Sequence, residues 1–401
     1  MSVRKRTWTN SKGEEKSSWV VDYVDTQGKR RLKTFRLKKQ ADQFAATASV
    51  EVREGIHVAD SASVTVREAC DFWTASCKNA NLERATLAAY RTHIELHIKP
   101  FIGEIKLSSL TIPMVRTFED SLQENGRSPV LRRKVLASLS SIISDAQERG
   151  LVGRNIVRDL KSRRRGSDNR LAKRQQRRLI IGEDIPSREE IKVLIGALSG
   201  RWRPLILTAI FTGLRASELR GLRWSDVEFD KRLLRVHQRA DFFNEIGRPK
   251  SATSERSIPL PPMVITALKE WKLACPNGSL DLVFPNGKGN IEQLNNIVRR
   301  GLQPAEIAAG ISIDTGEKDK DGAPILKAKY PGIHALRHFY ASWCINRIED
   351  GGLGLPPKLV QERMGHSTIG MTMDVYGHLF PRDDHGDELA AAERALLGTP
   401  N

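Results

Sequence analysis

The spacing of hydrophobic residues divides the chain into three segments. In residues 17–37, polar and apolar residues alternate on both sides of the turn Asp25-Thr-Gln-Gly28. This alternation predicts a β-hairpin or a three-stranded meander. Residues 38–53 follow with Ala41 and Phe44 on one helical face. The first segment is therefore predicted to be a small sheet packed on one helix.

From Thr65 onward the apolar spacing becomes helical. Thr65 and Glu68 have the spacing of a capping box, which predicts a helix start. Further helices are expected near residues 83–97, 112–123 and 128–149, because apolar residues recur there at helical intervals between turn signals. The second segment is predicted to be an all-α bundle.

The third segment mixes helices with short strands. Ser187 and Glu190 form a second capping-box pair, and an apolar helix is expected to break at Gly213 and restart. Residues 233–237 and 254–260 have strand-like patterns. These features predict a mainly α, mixed α+β domain. The predicted organisation is a sheet-plus-helix domain (1–60), a helical bundle (61–160), a basic linker (161–184), a mixed domain (185–382) and a tail helix (383–401).

Composition excludes several protein classes. Of the 401 residues, 39% are hydrophobic and 28% are charged, and no run of about 18 apolar residues indicates a membrane span. The first residues carry no apolar stretch behind their charges, so no secretory signal is predicted and we expect a cytoplasmic protein without a membrane partner. The four cysteines show no metal-ligand spacing and are expected to be free thiols.

The net charge of +17 is unevenly distributed. Residues 1–60 carry +5, residues 61–180 carry +11 and residues 181–401 carry +1. Such a balance favours a polyanionic partner, of which nucleic acid is the commonest. Simple solvation of a strand face and of a flexible linker is the alternative. The candidate DNA-binding residues are Lys29, Arg30, Arg31, Lys33 and Arg36, expected on one exposed strand face, and Arg163, Arg164 and Arg165 of the linker.

Candidate chemistry begins after the break at Gly213. Arg215 is expected near a helix start, where a guanidinium can bind an oxyanion with two N–H groups, and Glu218 can orient it. A surface ion pair would have the same spacing. Lys250 is predicted beside a hairpin tip, where its ammonium could donate a proton, although a solvated loop lysine would have the same sequence context.

A second cluster lies near the carboxyl end. His334, Arg337 and His338 are expected on one side of a helix, followed by His366 and, ten residues later, Tyr376. A zinc site would need the Glu of an HExxH motif and a third ligand, so no metal is predicted. Arginines, a lysine and histidines together suit a phosphodiester in its pentacoordinate transition state.

This set of residues resembles the active-site signature of the tyrosine recombinases, the phage integrase family. The motifs are Thr212-Gly-Leu-Arg215 with Glu218, Lys250, His334-Ala-Leu-Arg337-His338, Gly365-His366-Ser and Tyr376. They occur in the family's order. The bundle resembles the family's core-site-binding domain, and the sheet with its helix resembles the arm-site-binding domain of integrases.

The resemblance implies a role for each residue. Tyr376 would attack the scissile phosphate and form a 3′-phosphotyrosine, which conserves bond energy, so no cofactor is expected. Arg215, Arg337 and His366 would bind the non-bridging oxygens. Lys250 would protonate the departing 5′-oxygen and His334 would assist proton transfer at the tyrosine. Glu218 would orient the side chains of the site, and His338 would have a mainly structural role.

The same resemblance implies partners. These are double-stranded DNA attachment sites, a homo-tetramer on DNA, and DNA-bending accessory proteins. The tail after Pro381 is expected to dock on its own or on a neighbouring subunit, and residues 311–329 are expected to form an inserted polar hairpin. Two alternatives stay open, namely type IB topoisomerase-like DNA relaxation and a DNA-binding protein without catalytic activity.

Overall fold

The structure is a computed structural model that describes residues 1–164, 178–249, 254–381 and 393–398, without the side chains of 161–164. The chain divides into two compact units, Met1–Gln176 and Arg177–Asn401. Within the described residues, no helix is both long enough and apolar enough to span a bilayer. The helices with small sheets confirm the predicted fold class.

The first unit begins with an antiparallel sheet in the order β1-β2-β3. Val21 and Tyr23 of the central strand pack against Ala41 of the helix. The sequence did not predict the first strand, because it lies at the sheet edge and its residues are almost all exposed, so it shows no alternation. The elements are β1 (Ser2–Thr9), β2 (Glu15–Val24), β3 (Arg30–Phe35) and α1 (Lys38–Arg53).

The expectation that the basic residues of this segment share one exposed face is wrong. Successive side chains of a strand point to opposite faces of the sheet. Arg30 is exposed and pairs with Asp22, whereas Lys33 lies over the Phe44 ring on the helix side. Arg31 is also half-buried, while Lys29 and Arg36 lie outside β3 and are exposed.

The helical bundle completes the first unit. The capping box of Thr65 and Glu68 is confirmed, with both reciprocal hydrogen bonds present. His93 and His97 have metal-ligand spacing, but His93 Nδ1 lies 2.9 Å from Ser138 Oγ inside the bundle. The helices are α2 (Val66–Asn79), α3 (Arg84–His93), continued by a π-helical turn (Ile94–Ile98) into α4 (Lys99–Ile102), then α5 (Ile112–Glu124), α6 (Pro129–Glu148) and α7 (Ile156–Arg164).

The second unit is built around two buried helices, Trp202–Thr212 and His334–Ile345. The predicted capping box of Ser187 and Glu190 is confirmed. Its helices are α8 (Arg188–Ala197), α9 (Trp202–Thr212), α10 (Ala216–Gly221), α11 (Pro262–Ala274), α12 (Leu294–Asn296), a π-helical segment (Ile297–Leu302), α13 (Gln303–Ala308), α14 (His334–Ile345), α15 (Pro357–Met364) and α16 (Ile369–Tyr376).

Within the described residues, ten strands form four sheets, and three of these sheets lie in this unit. One has the order β4-β5-β8, one pairs β6 with β7, and the hairpin expected in 311–329 is confirmed as β9 paired with β10. The strands are β4 (Val227–Glu228), β5 (Leu233–Val236), β6 (Arg239–Ala240), β7 (Ile246–Gly247), β8 (Arg256–Pro259), β9 (Ser312–Lys318) and β10 (Pro324–Ala328).

Two predicted segments fall largely outside the described residues. α7 ends at Arg164, so the predicted linker 161–184 begins inside a helix, and 165–177 are not described. The predicted tail helix 383–401 is described only at 393–398, where 393–397 are helical.

Candidate active site

Arg215 is positioned by the break between α9 and α10. Gly213 ends α9 in the left-handed region at φ 59°, a conformation that glycine adopts without steric cost. The chain then restarts, with Arg215 as the residue preceding α10. Arg215 Nη1 donates to Glu218 Oε1 at 2.7 Å, and Nη2 donates to the carbonyl of Gly365 at 2.8 Å. The predicted break and the proximity of Arg215 to Glu218 are therefore present.

Arg256 contacts the same carboxylate and was missed from the sequence. Its Nη2 donates to Glu218 Oε2 at 2.8 Å, and its Nε donates to the carbonyl of Arg363 at 2.8 Å. Burial alone would raise the pKa of Glu218, but Arg256 and Arg215 outweigh it and lower that pKa to about 2. One signal in the sequence could have identified Arg256. Side chains two residues apart in a strand lie on the same face, so Arg256 shares its face with the buried Ile258.

Arg337 lies in the first turns of α14 and is buried, with 3% exposure. Its two terminal nitrogens donate to the carbonyls of Gly213 and Met364. Burial lowers its pKa, and the nearby Arg215 acts in the same direction. These contacts join the end of α9, α14 and the end of α15, so three separate parts of the sequence fix the position of one guanidinium.

His366 follows the left-handed Gly365 that ends α15. Its Nδ1 lies 2.9 Å from Thr372 Oγ1, which fixes the ring and leaves Nε2 for another partner. Burial and the positive charge of Arg337 lower the pKa of His366 to about 4. The imidazole is therefore neutral near pH 7, and its Nε2–H can donate when Nδ1 accepts from the threonine.

Tyr376 ends α16 and is almost fully buried, with 2% exposure. Its ring is nearly parallel to that of His366, at 6° and with centroids 6.2 Å apart. Its hydroxyl lies 2.7 Å from Nδ1 of His338, which sequence reasoning placed only in a supporting position. Burial raises the pKa of Tyr376 to about 12, and Arg337 opposes that rise.

His334 and Lys250 complete the predicted set with different outcomes. His334 lies one turn before His338, with ring centroids 4.6 Å apart, and is exposed. Desolvation by neighbouring protein atoms lowers the pKa of His334, and the positive charges of Arg337 and Arg215 act in the same direction. Lys250 lies outside the described residues, as do Arg165 and the side chains of Arg163 and Arg164.

The structure thus gathers arginines, neutral imidazoles and one phenol from segments far apart in sequence. Such a group can bind an anion, donate hydrogen bonds to it and present a nucleophilic oxygen. Among the described side chains, no group of three or more His, Cys, Asp or Glu residues could hold a metal ion.

Sequence comparison identifies the family. The phage integrase family matches residues 187–382, and the phage integrase N-terminal SAM-like domain matches residues 65–123. The chain is 27% identical over 377 residues to a XerC-like tyrosine recombinase of Caldanaerobacter subterraneus subsp. tengcongensis, covering 89% of this chain and 90% of that protein. It is 25% identical to an integrase of Mycobacterium phage D29, with 99% of both chains covered.

Solved structures share the fold. The Tn1549 transposon integrase, solved with a circular intermediate DNA, superposes with a TM-score of 0.59 at 17% identity, covering 83% of this chain and all of that one. A lambda integrase tetramer bound to a Holliday junction gives a TM-score of 0.54 at 18% identity, covering 90% and 95%.

The fold and the clustered residues define an enzyme that cleaves and rejoins DNA, of the tyrosine recombinase class. The chain belongs to the phage integrase family.

Proposed function

We propose that this protein is an integrase that recombines two double-stranded DNA attachment sites through a 3′-phosphotyrosine at Tyr376, moving a phage genome or another mobile element into or out of a chromosome. One observation carries the proposal. The buried hydroxyl of Tyr376 lies within hydrogen-bonding distance of a neutral histidine, in the same cluster as Arg337 and His366.

The arginines supply the electrostatic part of the reaction. Arg215 is fixed through Glu218, and Arg337 through two backbone carbonyls, so both are oriented before DNA binds. Donors arranged in advance stabilise the charge that develops on the non-bridging oxygens of the phosphorane without reorganisation. His366, fixed by Thr372, donates a further hydrogen bond to one of these oxygens.

Leaving-group chemistry explains the choice of a tyrosine. A phenol has an ordinary pKa near 10, well below that of an alkyl alcohol, so the phosphotyrosine can form and be expelled again. Lys250 protonates the departing 5′-oxygen in the forward direction and takes the proton back during rejoining. The exchange needs neither ATP nor a metal in this scheme, because the bond energy is retained in the protein–DNA linkage.

The remaining segments bind and arrange DNA in this proposal. The sheet domain contacts arm-type sites, the bundle contacts the core site, and the linker arginines contact the phosphate backbone. Four copies assemble on two duplexes with DNA-bending accessory proteins, and the tail docks on its own or on a neighbouring subunit. Support for assembly comes from the solved lambda integrase, which is a tetramer on a Holliday junction.

A nicked suicide duplex carrying the attachment site tests the proposed reaction. The wild-type protein is expected to form a covalent, denaturant-resistant DNA adduct without Mg²⁺, and Tyr376→Phe should bind the same duplex and form none. Equal adduct with both proteins would contradict the nucleophile assignment. Relaxation of supercoiled DNA by a monomer, without strand exchange, would favour the topoisomerase alternative.

A further inference from the structure

We infer that His338 is the catalytic base of strand cleavage: its Nδ1 accepts the phenolic proton of Tyr376 as the tyrosine attacks, and returns it during rejoining. This inference rests on the proposed function and assigns the proton step of the same site. It moves that role away from His334, to which the family signature would give it.

The geometry distinguishes the two histidines. His338 and His334 lie one turn apart on α14, yet only His338 has Nδ1 at 2.7 Å from Tyr376 Oη. Among the described residues, none forms a hydrogen bond with the ring of His334, which is an exposed residue. A base must lie within hydrogen-bonding reach of the proton that it removes. His338 meets this requirement in the free enzyme.

The surroundings keep His338 in the form that can accept a proton. Burial lowers the pKa of His338 to about 4. A protonated His334 and the positive charge of Arg337, both on the same helix, act in the same direction, while Asp184 opposes them. Tyr376 faces the ring from α16. The ring is therefore neutral above about pH 5 and loses its capacity only as the pH falls through 4.

The tyrosine needs such a partner. Burial raises its pKa to about 12, so only a small fraction would ionise unaided near neutral pH. Because a protonated His338 next to Arg337 is unfavourable, the proton transfer is expected to accompany formation of the new bond rather than precede it.

The step balances as follows. The Tyr376 Oη–H bond breaks and a His338 Nδ1–H bond forms, while Oη forms its bond to phosphorus. The bond from phosphorus to the 5′-oxygen breaks, and that oxygen takes a proton from the Lys250 ammonium. The products are a 3′-phosphotyrosine, an imidazolium, a neutral lysine and a free 5′-hydroxyl. Rejoining runs the same transfers in reverse.

The test uses the full-length protein and a nicked duplex on which the wild-type protein forms its adduct. Single-turnover adduct formation is measured for His338→Gln and for the matched control His334→Gln. We expect His338→Gln to slow cleavage by about 100-fold or more, within the range for loss of general base catalysis, and His334→Gln by less than about 10-fold. Melting temperature and DNA binding are measured for both variants. If His338→Gln fails to fold, His338→Asn is used in its place.

A second substrate separates the two proton transfers. A duplex with sulfur in place of the bridging 5′-oxygen has a leaving group that needs no proton. On it, Lys250→Ala should recover close to wild-type cleavage, whereas His338→Gln should retain its full defect.

Phenol acidity distinguishes a base from a residue that only orients the ring. Replacing Tyr376 by 3,5-difluorotyrosine, a more acidic phenol, should restore cleavage by His338→Gln about 10-fold or more and change wild-type cleavage little. Cleavage by His338→Gln within threefold of wild type, or a defect that the acidic phenol leaves unchanged, would overturn the inference. Failure of the wild-type protein to form any adduct would instead overturn the proposed function.

Discussion

Glu218 lies between the guanidinium groups of Arg215 and Arg256 and accepts hydrogen bonds from both. Its side chain and that of Arg256 are almost completely buried. A buried ion pair contributes little net stability by itself, but removal of one partner leaves a charge without compensation. At the scale of single residues, the carboxylate therefore fixes the cations of the site.

Replacing Glu218 by Gln is expected to reduce adduct formation by about 10-fold or more, because Arg215 loses its ionic partner. It should also lower the free energy of unfolding at pH 7 by about 3 kcal/mol. Urea denaturation followed by tryptophan fluorescence measures the second effect. Glu362→Gln, which alters an exposed pair with Lys358, is the matched control and should change stability by less than about 0.5 kcal/mol.

The difference in unfolding free energy between wild type and Glu218→Gln is expected to depend on pH in a definite direction. The pKa of Glu218 falls from 4.5 to about 2 on folding, so its contribution to stability is complete above pH 4.5 and is lost as the pH falls through 2. The gap between wild type and Glu218→Gln should therefore narrow from pH 5 to pH 3. A gap that stays constant over this range would contradict the assignment.

At the scale of elements, the junction of α9 with α10 places both arginines. Gly213 has φ 59°, its carbonyl accepts from Arg337, and Arg215 follows two residues later. A Cβ at position 213 would lie 2.3 Å from Cδ1 of the buried Tyr340. Backbone conformation and close packing therefore both require glycine at this position.

Gly213→Ala is expected to shift the junction and reduce adduct formation by at least about 100-fold, and to lower stability by more than 2 kcal/mol, through strain and overpacking. Gly310→Ala is the matched control, since Gly310 also has a positive φ but has no atom within 4 Å of its ideal Cβ position. It isolates the backbone effect and should reduce stability by only about 1 kcal/mol with normal cleavage. If both substitutions change stability and cleavage equally, close packing of Gly213 against Tyr340 is not the cause of the defect.

At the scale of the whole molecule, charge and chemistry are separated along the chain. Residues 61–180 carry +11, whereas residues 181–401, which hold the clustered arginines and Tyr376, carry only +1. Counterion release makes the affinity of cationic segments for DNA strongly dependent on salt. Most of the non-specific affinity is therefore expected from the amino-terminal segments and the linker.

Replacing Arg163, Arg164 and Arg165 together by Gln should weaken DNA binding and make the plot of log affinity against log salt less steep by about 2 to 3. Fluorescence anisotropy at several salt concentrations measures this slope. The triple replacement by Lys keeps the charge and should retain the slope. If the Gln variant also keeps the wild-type slope, these arginines do not contact phosphate.

Local patterns in the sequence determined much of the fold. Both capping boxes, the break at Gly213 and the hairpin in 311–329 depend on neighbouring residues, and the structure contains each of them. The same holds for the α+β character of the second unit. The edge strand β1 was missed because almost none of its side chains are buried, so burial left no pattern in its sequence.

Contacts between distant residues were decided only by the tertiary structure. The hydrogen bond from Arg256 to Glu218 and the one joining His338 to Tyr376 each connect residues 38 positions apart. The motifs determine which residue types are present, but the tertiary arrangement of α14 relative to α16, and of β8 relative to α10, determines which atoms meet. The sequence thus determined the chemical groups of the site, while the packing of separate elements determined which histidine touches the phenol.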